Sequence, residues 1–105
     1  MNERDLRILQ EFARRVRAVV PESQLWAFGS RARGDCRADS DLDVCVVAEK
    51  LDAAARQAIS DAAFDVGFDN GVLIMTVKFT REQFEQGPCS ESPLVHAIRH
   101  EGVAA

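Results

Sequence analysis

The stretch "FGSRARGDCRADSDLDVCVV", residues 28–47, ends in an apolar, β-branched run that is typical of a buried strand. This strand opens with two carboxylates, Asp41 and Asp43. Because strand side chains two residues apart point to the same face, both carboxylates should lie close together. Like charges so placed repel each other unless a cation lies between them. The pattern predicts a metal site, and such oxygen ligands suit Mg²⁺, with Mn²⁺ as the alternative metal.

The first part of the same stretch predicts a binding site for phosphate. Residues 23–28, "SQLWAF", form an apolar and aromatic run typical of a strand that ends at Gly29. A helical turn beginning with Ser30 would offer backbone N–H groups and a hydroxyl to an anion. Glycine lets the backbone approach a ligand closely, and Arg31 or Arg33 would neutralise phosphate charge. Phosphate ligands beside metal ligands describe a metal–nucleotide site.

The segments on either side alternate between helical and strand patterns. Apolar spacing of three and four residues predicts helices, and runs of β-branched residues predict strands. A chain of 105 residues has room for about one hydrophobic core, so we expect a single domain over residues 1–105. The expected class is α/β, with a small mixed sheet of three or more strands and helices packed on it. Helices are predicted over residues 4–20, 52–66, 81–86 and 92–100, and strands over 23–28, 41–47 and 70–79.

Composition excludes several classes of protein. No stretch approaches the roughly 20 apolar residues that cross a bilayer, so no membrane association and a cytoplasmic location are expected. A net charge of -4 argues against nucleic acid as a generic ligand. The cysteines are odd in number and widely spaced, which predicts reduced thiols at Cys36, Cys45 and Cys89.

The spacing of the glycine, serine and aspartates resembles the signature of the polymerase-beta-like nucleotidyltransferases. That signature is Gly-Ser, ten residues, then Asp-x-Asp, and it reads here as Gly29-Ser30, residues 31–40 and Asp41-Leu42-Asp43. The short chain is similar to the minimal, single-domain branch of that family. The resemblance implies the nucleotidyltransferase fold and transfer of a nucleoside monophosphate from an NTP, with ATP as the expected donor, to an acceptor.

The resemblance also implies roles for individual residues and for a partner. Gly29 and Ser30 would hold the outer phosphates, and Asp41 and Asp43 would coordinate Mg²⁺ and so act in catalysis. Minimal members of the family are often paired with a HEPN-domain toxin. The expected acceptor is therefore a partner protein of that type, with the chain as antitoxin. A homo-oligomer that completes the acceptor site stays open.

One departure from the family pattern concerns a third acidic residue. The family commonly places this residue on the next strand, where an ungapped reading falls near Leu73, yet no carboxylate occurs from Val72 to Thr80. Asp69 would serve as the third catalytic acid if the strand begins there. Two alternatives therefore stay open: a catalytically weak or inactive module that binds nucleotide or toxin, and a nucleotidyltransferase acting on a small molecule such as an antibiotic.

Overall fold

The computed structural model describes residues 1–34 and 40–105, so Cys36 lies outside the described residues. Within these two ranges, no helix is both long enough and apolar enough to cross a membrane. In chain order the elements are α1 (Glu3–Val19), β1 (Gln24–Phe28), α2 (Gly29–Arg33), β2 (Leu42–Ala48), α3 (Ala53–Asn70), β3 (Ile74–Thr80), α4 (Arg81–Glu85), a short 3-10 helix (Pro88–Glu91), α5 (Pro93–Glu101) and β4 (Val103–Ala104).

The strands form one mixed sheet in the order β3-β2-β1-β4. β1 pairs antiparallel with β2 and with β4, whereas β2 pairs parallel with β3 because α3 carries the chain back across the sheet. The predicted mixed sheet with packed helices is therefore confirmed. The two-residue strand β4 was not predicted from the sequence. Its pairing of Ala104 with Trp26 joins distant parts of the chain, which a local pattern does not reveal.

One face of the sheet is covered by the two long helices, α1 and α3. On this face the β2 side chains Leu42, Val44 and Val46 have no exposed surface. Asn2 is the N-cap of α1. Its side chain accepts a hydrogen bond from the Asp5 backbone N–H at 2.7 Å. The apolar side chains that the helices bury here are Ile8, Leu9, Phe12, Ala13, Val16, Ile59, Ala62, Ala63 and Val66.

The other face is covered by the short helices α4 and α5. Phe84 from α4 packs with Val95 and Ile98 from α5 against Cys45 and Val47 of β2. Trp26 stacks on Phe84 with ring centres 5.6 Å apart. This cover stops short of the start of β2, where Asp43 is only half-buried. The open end of this face therefore leaves the first carboxylate of β2 within reach of solvent and ligands.

The predicted boundary between the second long helix and the third strand was wrong. α3 continues through Asn70, and β3 begins only at Ile74. Gly71, with a φ of 68°, caps the helix, and its N–H bonds to the carbonyl groups of Gly67 and Phe68. Asn70-Gly71 therefore ends a helix, a use of glycine that local sequence does not distinguish from a turn between strands. Asp69 consequently lies on α3.

Candidate functional site

Gly29 and Asp43 meet where the β1–β2 pair ends. The antiparallel register places Phe28 opposite Asp43, so the turn after β1 begins beside that carboxylate. Gly29 has a φ of +78°, and a Cβ at this position would lie 2.6 Å from Asp43 Oδ2. Only a residue without a Cβ fits both the backbone conformation and the carboxylate. The structure thus brings together the predicted phosphate-binding turn and the predicted metal ligand.

The turn itself is the short helix α2, which starts at Gly29 and has Ser30 in its first turn. Its N-cap residue, Phe28, supplies no side-chain hydrogen bond to the helix end. Backbone N–H groups in the first turn of a helix have no partner within the helix and can donate to an anion. Ser30 is half-buried at this end. The arrangement can therefore present backbone N–H groups and a hydroxyl close to Asp43.

The two carboxylates of the Asp-x-Asp pair differ in their surroundings. Asp41 is exposed and immediately precedes β2, whereas Asp43 is half-buried within the strand. Burial, and secondarily the charge of Asp41, raise the pKa of the Asp43 carboxyl above its usual value. Both causes disfavour a negative charge on Asp43. A cation shared by the two carboxylates would reverse both effects.

The donor set fits a hard divalent cation such as Mg²⁺. Such a cation takes one or two protein carboxylates and completes its coordination with water and substrate phosphates. In the described ranges, no three His, Cys, Asp or Glu side chains converge on one point. Asp41 and Asp43 are therefore the residues that would hold the metal, and the nucleotide would supply further ligands.

Arg31, which was predicted to neutralise phosphate charge, is held in a buried ion pair. Its guanidinium is buried, with Nη1 2.9 Å from Asp5 Oδ1, and its Nε donates to the Ser40 carbonyl oxygen at 2.8 Å. A guanidinium removed from water needs a carboxylate partner, and here α1 provides one. Arg31 thus fastens α2 to α1 and to the residue before Asp41. These contacts would position the site, and a contact of Arg31 with phosphate stays a prediction.

The sequence contained a signal for the Arg31 partner that was missed. Asp5 lies three residues before Ile8 and four before Leu9, so it shares the buried stripe of α1. Its side chain is 1% exposed. An acid at such a position requires a basic partner from elsewhere in the fold. The stripe itself thus indicated a buried ion pair, although it did not indicate which arginine would complete it.

Arg33 and Asp69 were also predicted as site residues. Arg33 lies on α2 with its Nη1 3.0 Å from Glu101 Oε2 of α5, and both side chains are partly exposed. Its contact with phosphate stays a prediction. Asp69 is exposed on α3, and β3 starts only at Ile74, so the condition for it to reach the site is not met.

The β3 residue beside Asp43 is apolar. The parallel register pairs Asp43 with Met75, two residues beyond Leu73, where the ungapped reading placed the third acid. Met75 is 48% exposed. The described part of the site therefore combines two carboxylates with an open, apolar neighbour where the resemblance led us to expect a carboxylate.

A model of the nucleotidyltransferase domain matches residues 7–100. The chain belongs to the nucleotidyltransferase domain family. A Haemophilus influenzae protein described as a "probable protein adenylyltransferase MntA" is 33% identical over 69 residues, which are 65% of this chain. The chain spans about 60% of the length of that curated relative. These findings confirm the resemblance to the minimal branch of the nucleotidyltransferases.

Two solved structures share the fold of this nucleotidyltransferase domain. A toxin-antitoxin complex with AMP-PNP has a TM-score of 0.62 and 19% identity, over 90% of this chain and 69% of that one. A Shewanella oneidensis complex of a tri-AMPylated HEPN toxin with an MNT antitoxin has a TM-score of 0.58 and 16% identity, over 95% and 70%. Likeness at such identities concerns the fold, and it confirms the predicted nucleotidyltransferase fold.

Proposed function

We propose that the chain transfers AMP from ATP, with Mg²⁺, to a hydroxyl group of a partner protein. The observation that carries this proposal is the close approach of Gly29 to Asp43, which supports a site in which the predicted phosphate-binding turn lies beside a predicted metal ligand. Membership of the nucleotidyltransferase family supports the reaction class. The MntA relative is described as a protein adenylyltransferase, and the fold neighbours are toxin-antitoxin complexes, one of them with a HEPN toxin. We therefore extend the proposal to a HEPN-type toxin as the acceptor.

In the proposed reaction the acceptor oxygen forms a bond to the α-phosphorus of ATP. The bond from that phosphorus to the oxygen that bridges to the β-phosphate breaks, and pyrophosphate leaves with the electron pair. A bound Mg²⁺ would stabilise negative charge on the phosphates as the bond breaks. The N–H groups of α2 and the Ser30 hydroxyl hold the outer phosphates, and Asp41 and Asp43 hold the metal. The acceptor proton passes to solvent or to a base of the partner, since Met75 occupies the β3 position beside Asp43.

The apolar neighbour of Asp43 favours a second candidate function. If the third acid is needed for turnover, the chain would bind a nucleotide and a toxin without transferring AMP efficiently. Such a module would use the same phosphate turn and the same carboxylates. The two candidates therefore differ in turnover and agree in metal-dependent nucleotide binding.

Label transfer tests the proposal directly. The protein is incubated with Mg²⁺ and ATP labelled at the α-phosphate, with and without the purified product of the adjacent gene. Asp41→Asn/Asp43→Asn should lower label transfer at least about 100-fold. Glu22→Gln/Glu85→Gln, which removes two exposed acids elsewhere, is the matched control and should transfer normally.

Each outcome decides between the candidates. Transfer that persists in the double aspartate variant overturns the assignment of these residues. Nucleotide binding by the wild type without transfer to a protein replaces the enzyme by the binding module. Absence of Mg²⁺-dependent ATP binding, measured by calorimetry, overturns both.

A further inference from the structure

An apolar groove opens at the β3 edge of the sheet. It has a volume of about 470 Å³ and lies between the C-terminal half of α3 and the residues that lead into β3. Phe64 and Phe68 of α3 are 71% and 78% exposed, and Leu73 is 59% exposed. The two phenylalanine rings stack with centres 6.1 Å apart. We refer to this surface as the edge groove, defined by Phe64, Phe68, Val72, Leu73 and Ile74.

Exposed apolar side chains concentrate at this edge. The large hydrophobic side chains exposed in residues 1–34 and 40–105 are Val19, Phe64, Phe68, Leu73, Met75 and Leu94. All except Val19 and Leu94 belong to the edge groove or to β3 beside it. Scattered apolar side chains are normal on a protein surface, whereas a contiguous group usually marks an interaction site. Other apolar side chains of α1 and α3 already cover this face of the sheet, yet the rings of Phe64 and Phe68 stay exposed to water.

The edge groove lies on the α3 side of the β3 edge, at the same end of the sheet as Asp43, whose side chain faces the other side. Leu73 precedes β3, and its carbonyl oxygen accepts a hydrogen bond from the Leu42 N–H at 2.9 Å, between Asp41 and Asp43 in sequence. Met75 continues the apolar surface beside Asp43. β3 is the edge strand of the described sheet, so no further strand separates this surface from solvent there. A protein seated in the edge groove could therefore extend around this open edge, over the exposed Leu73 and Met75, to the carboxylate that the proposed transfer uses.

The charges beside the edge groove indicate the chemistry of its occupant. Asp61, Asp65 and Asp69 are exposed and follow one another at intervals of four along α3, next to the row formed by Phe64 and Phe68. Asp65 also lies 3.9 Å from Arg15 Nη1 of α1, in a solvent-exposed ion pair that a partner could exchange. An apolar segment flanked by Lys or Arg would complement both rows. A second copy of this chain would bring the same acidic row to a two-fold contact, and so would add like charges there instead of opposite ones.

We infer that the edge groove is the docking surface for the acceptor protein, through an apolar segment of that protein flanked by basic residues. This inference rests on the proposed function, because it names the surface by which the acceptor reaches Asp43. Docking turns the attack on the nucleotide into a reaction between groups already held together, which raises its rate. Under the same inference, the partner would occupy the side of the site beside Met75, the residue that stands where a carboxylate was expected.

Paired variants test the docking surface with the product of the adjacent gene as the probe. Phe64→Ser/Phe68→Ser should weaken association at least about tenfold, and label transfer at subsaturating partner should fall in parallel. Val19→Ser/Leu94→Ser removes two exposed apolar side chains elsewhere and should associate as the wild type does. Asp61→Lys/Asp65→Lys should also weaken association, and more so at low ionic strength, whereas Glu22→Lys/Glu85→Lys should not.

Calorimetry with ATP and Mg²⁺ separates this inference from the proposed function. The phenylalanine variant should bind the nucleotide as the wild type does, because its substitutions lie outside the nucleotide site. Association that is unchanged in that variant, or absent in the wild type, overturns the inference. Sedimentation that shows a wild-type dimer converted to monomer by Phe64→Ser/Phe68→Ser also overturns it in favour of a second copy. If the wild type shows no Mg²⁺-dependent ATP binding, the proposed function is overturned instead.

Discussion

The two faces of the sheet differ in how completely helices cover them. On the face of α1 and α3, every β2 side chain is sealed, including Leu42 at the very start of the strand. On the face of α4 and α5, Cys45 and Val47 are sealed, but Asp43 at the same end is left half-buried. Leu42 and Asp43, adjacent residues of one strand, therefore lie in opposite surroundings, one in the core and one near solvent. The closed face supplies stability, and the open end of the other face is where we propose that charged ligands bind.

The largest expected effect concerns Arg31. Its side chain is buried against α1, although the residue lies on the predicted phosphate-binding turn. Arg31→Met should lower the free energy of unfolding by about 3–5 kcal/mol, because it removes the buried partner of the Asp5 carboxylate and leaves the exposed Arg4 guanidinium, 3.8 Å away, to face it. Arg31→Met/Asp5→Leu should restore much of this loss, since the buried Asp5 carboxylate is then removed together with the guanidinium. Urea unfolding followed by circular dichroism measures both. If Arg31→Met were as stable as the wild type but bound ATP more weakly, the predicted contact of Arg31 with phosphate would be supported instead.

The next effect compares neighbours in β2. Leu42→Ala should cost about 2–5 kcal/mol of unfolding free energy, because a cavity opens in the closed face between α1 and α3. Urea unfolding provides the measurement, and Met75→Ala is the control, since this side chain is 48% exposed on the strand alongside. Equal losses in the two variants would show that the open end of the sheet is packed as tightly as the closed face.

A smaller effect probes the contact that joins the two halves of the site. Gly29→Ala should lower the unfolding free energy by about 1–2 kcal/mol, because alanine is strained at a φ of +78°. It should also weaken Mg²⁺-dependent ATP binding, since its Cβ would displace Asp43 Oδ2. Gly34→Ala is a matched control with a φ of +80°, where the added Cβ would lie 3.9 Å from the Met1 backbone nitrogen, an ordinary contact distance among the described residues. Calorimetry that finds ATP binding equally weakened in both variants would attribute the loss to backbone strain alone.

Local pattern predicted the parts of the fold whose cause is local. The stripe of α1, the apolar run of β1 and the β-branched run of β2 each specify an element, and these elements are present. The α3–β3 boundary was wrong because Gly71 can end a helix or turn a strand, and packing decides between these uses. β4 was missed because two residues pair with β1 only after the chain has folded around them.

The site divides in the same way between local and long-range causes. Gly29, Ser30, Asp41 and Asp43 could be predicted as site residues because one segment carries all four. The structural role of Arg31 depends on Asp5, a residue 26 positions away. The edge groove depends on α3 ending beside β3, so Phe64 and Phe68 gave no sign in the sequence that their rings would stay exposed. Long-range packing therefore determines which side chains are left available for binding.

The smallest expected effect is that replacing Asp43 leaves the stability of the metal-free protein unchanged or raises it. Replacing a half-buried side chain of a strand usually lowers stability. Burial and Asp41 raise the pKa of Asp43, so folding favours the protonated form and the ionised carboxylate destabilises the metal-free protein. Asp43→Asn should thus be as stable as the wild type, or more stable by up to about 1 kcal/mol, above the raised pKa. This advantage should shrink as the pH falls through that pKa and vanish below about 4, the unfolded value, where the wild type also carries a neutral group.

Thermal unfolding between pH 4 and pH 8, with EDTA and then with Mg²⁺ and ATP, measures this effect. Ligand should stabilise the wild type and leave Asp43→Asn nearly unchanged, so that the order of stability reverses at neutral pH. Glu22→Gln, an exposed acid far from the sheet, should show neither trend. A metal-free Asp43→Asn that is clearly less stable than the wild type at pH 7 would mean that Asp43 helps to hold the fold. The division of labour between the two faces would then fail at the residue that defines it.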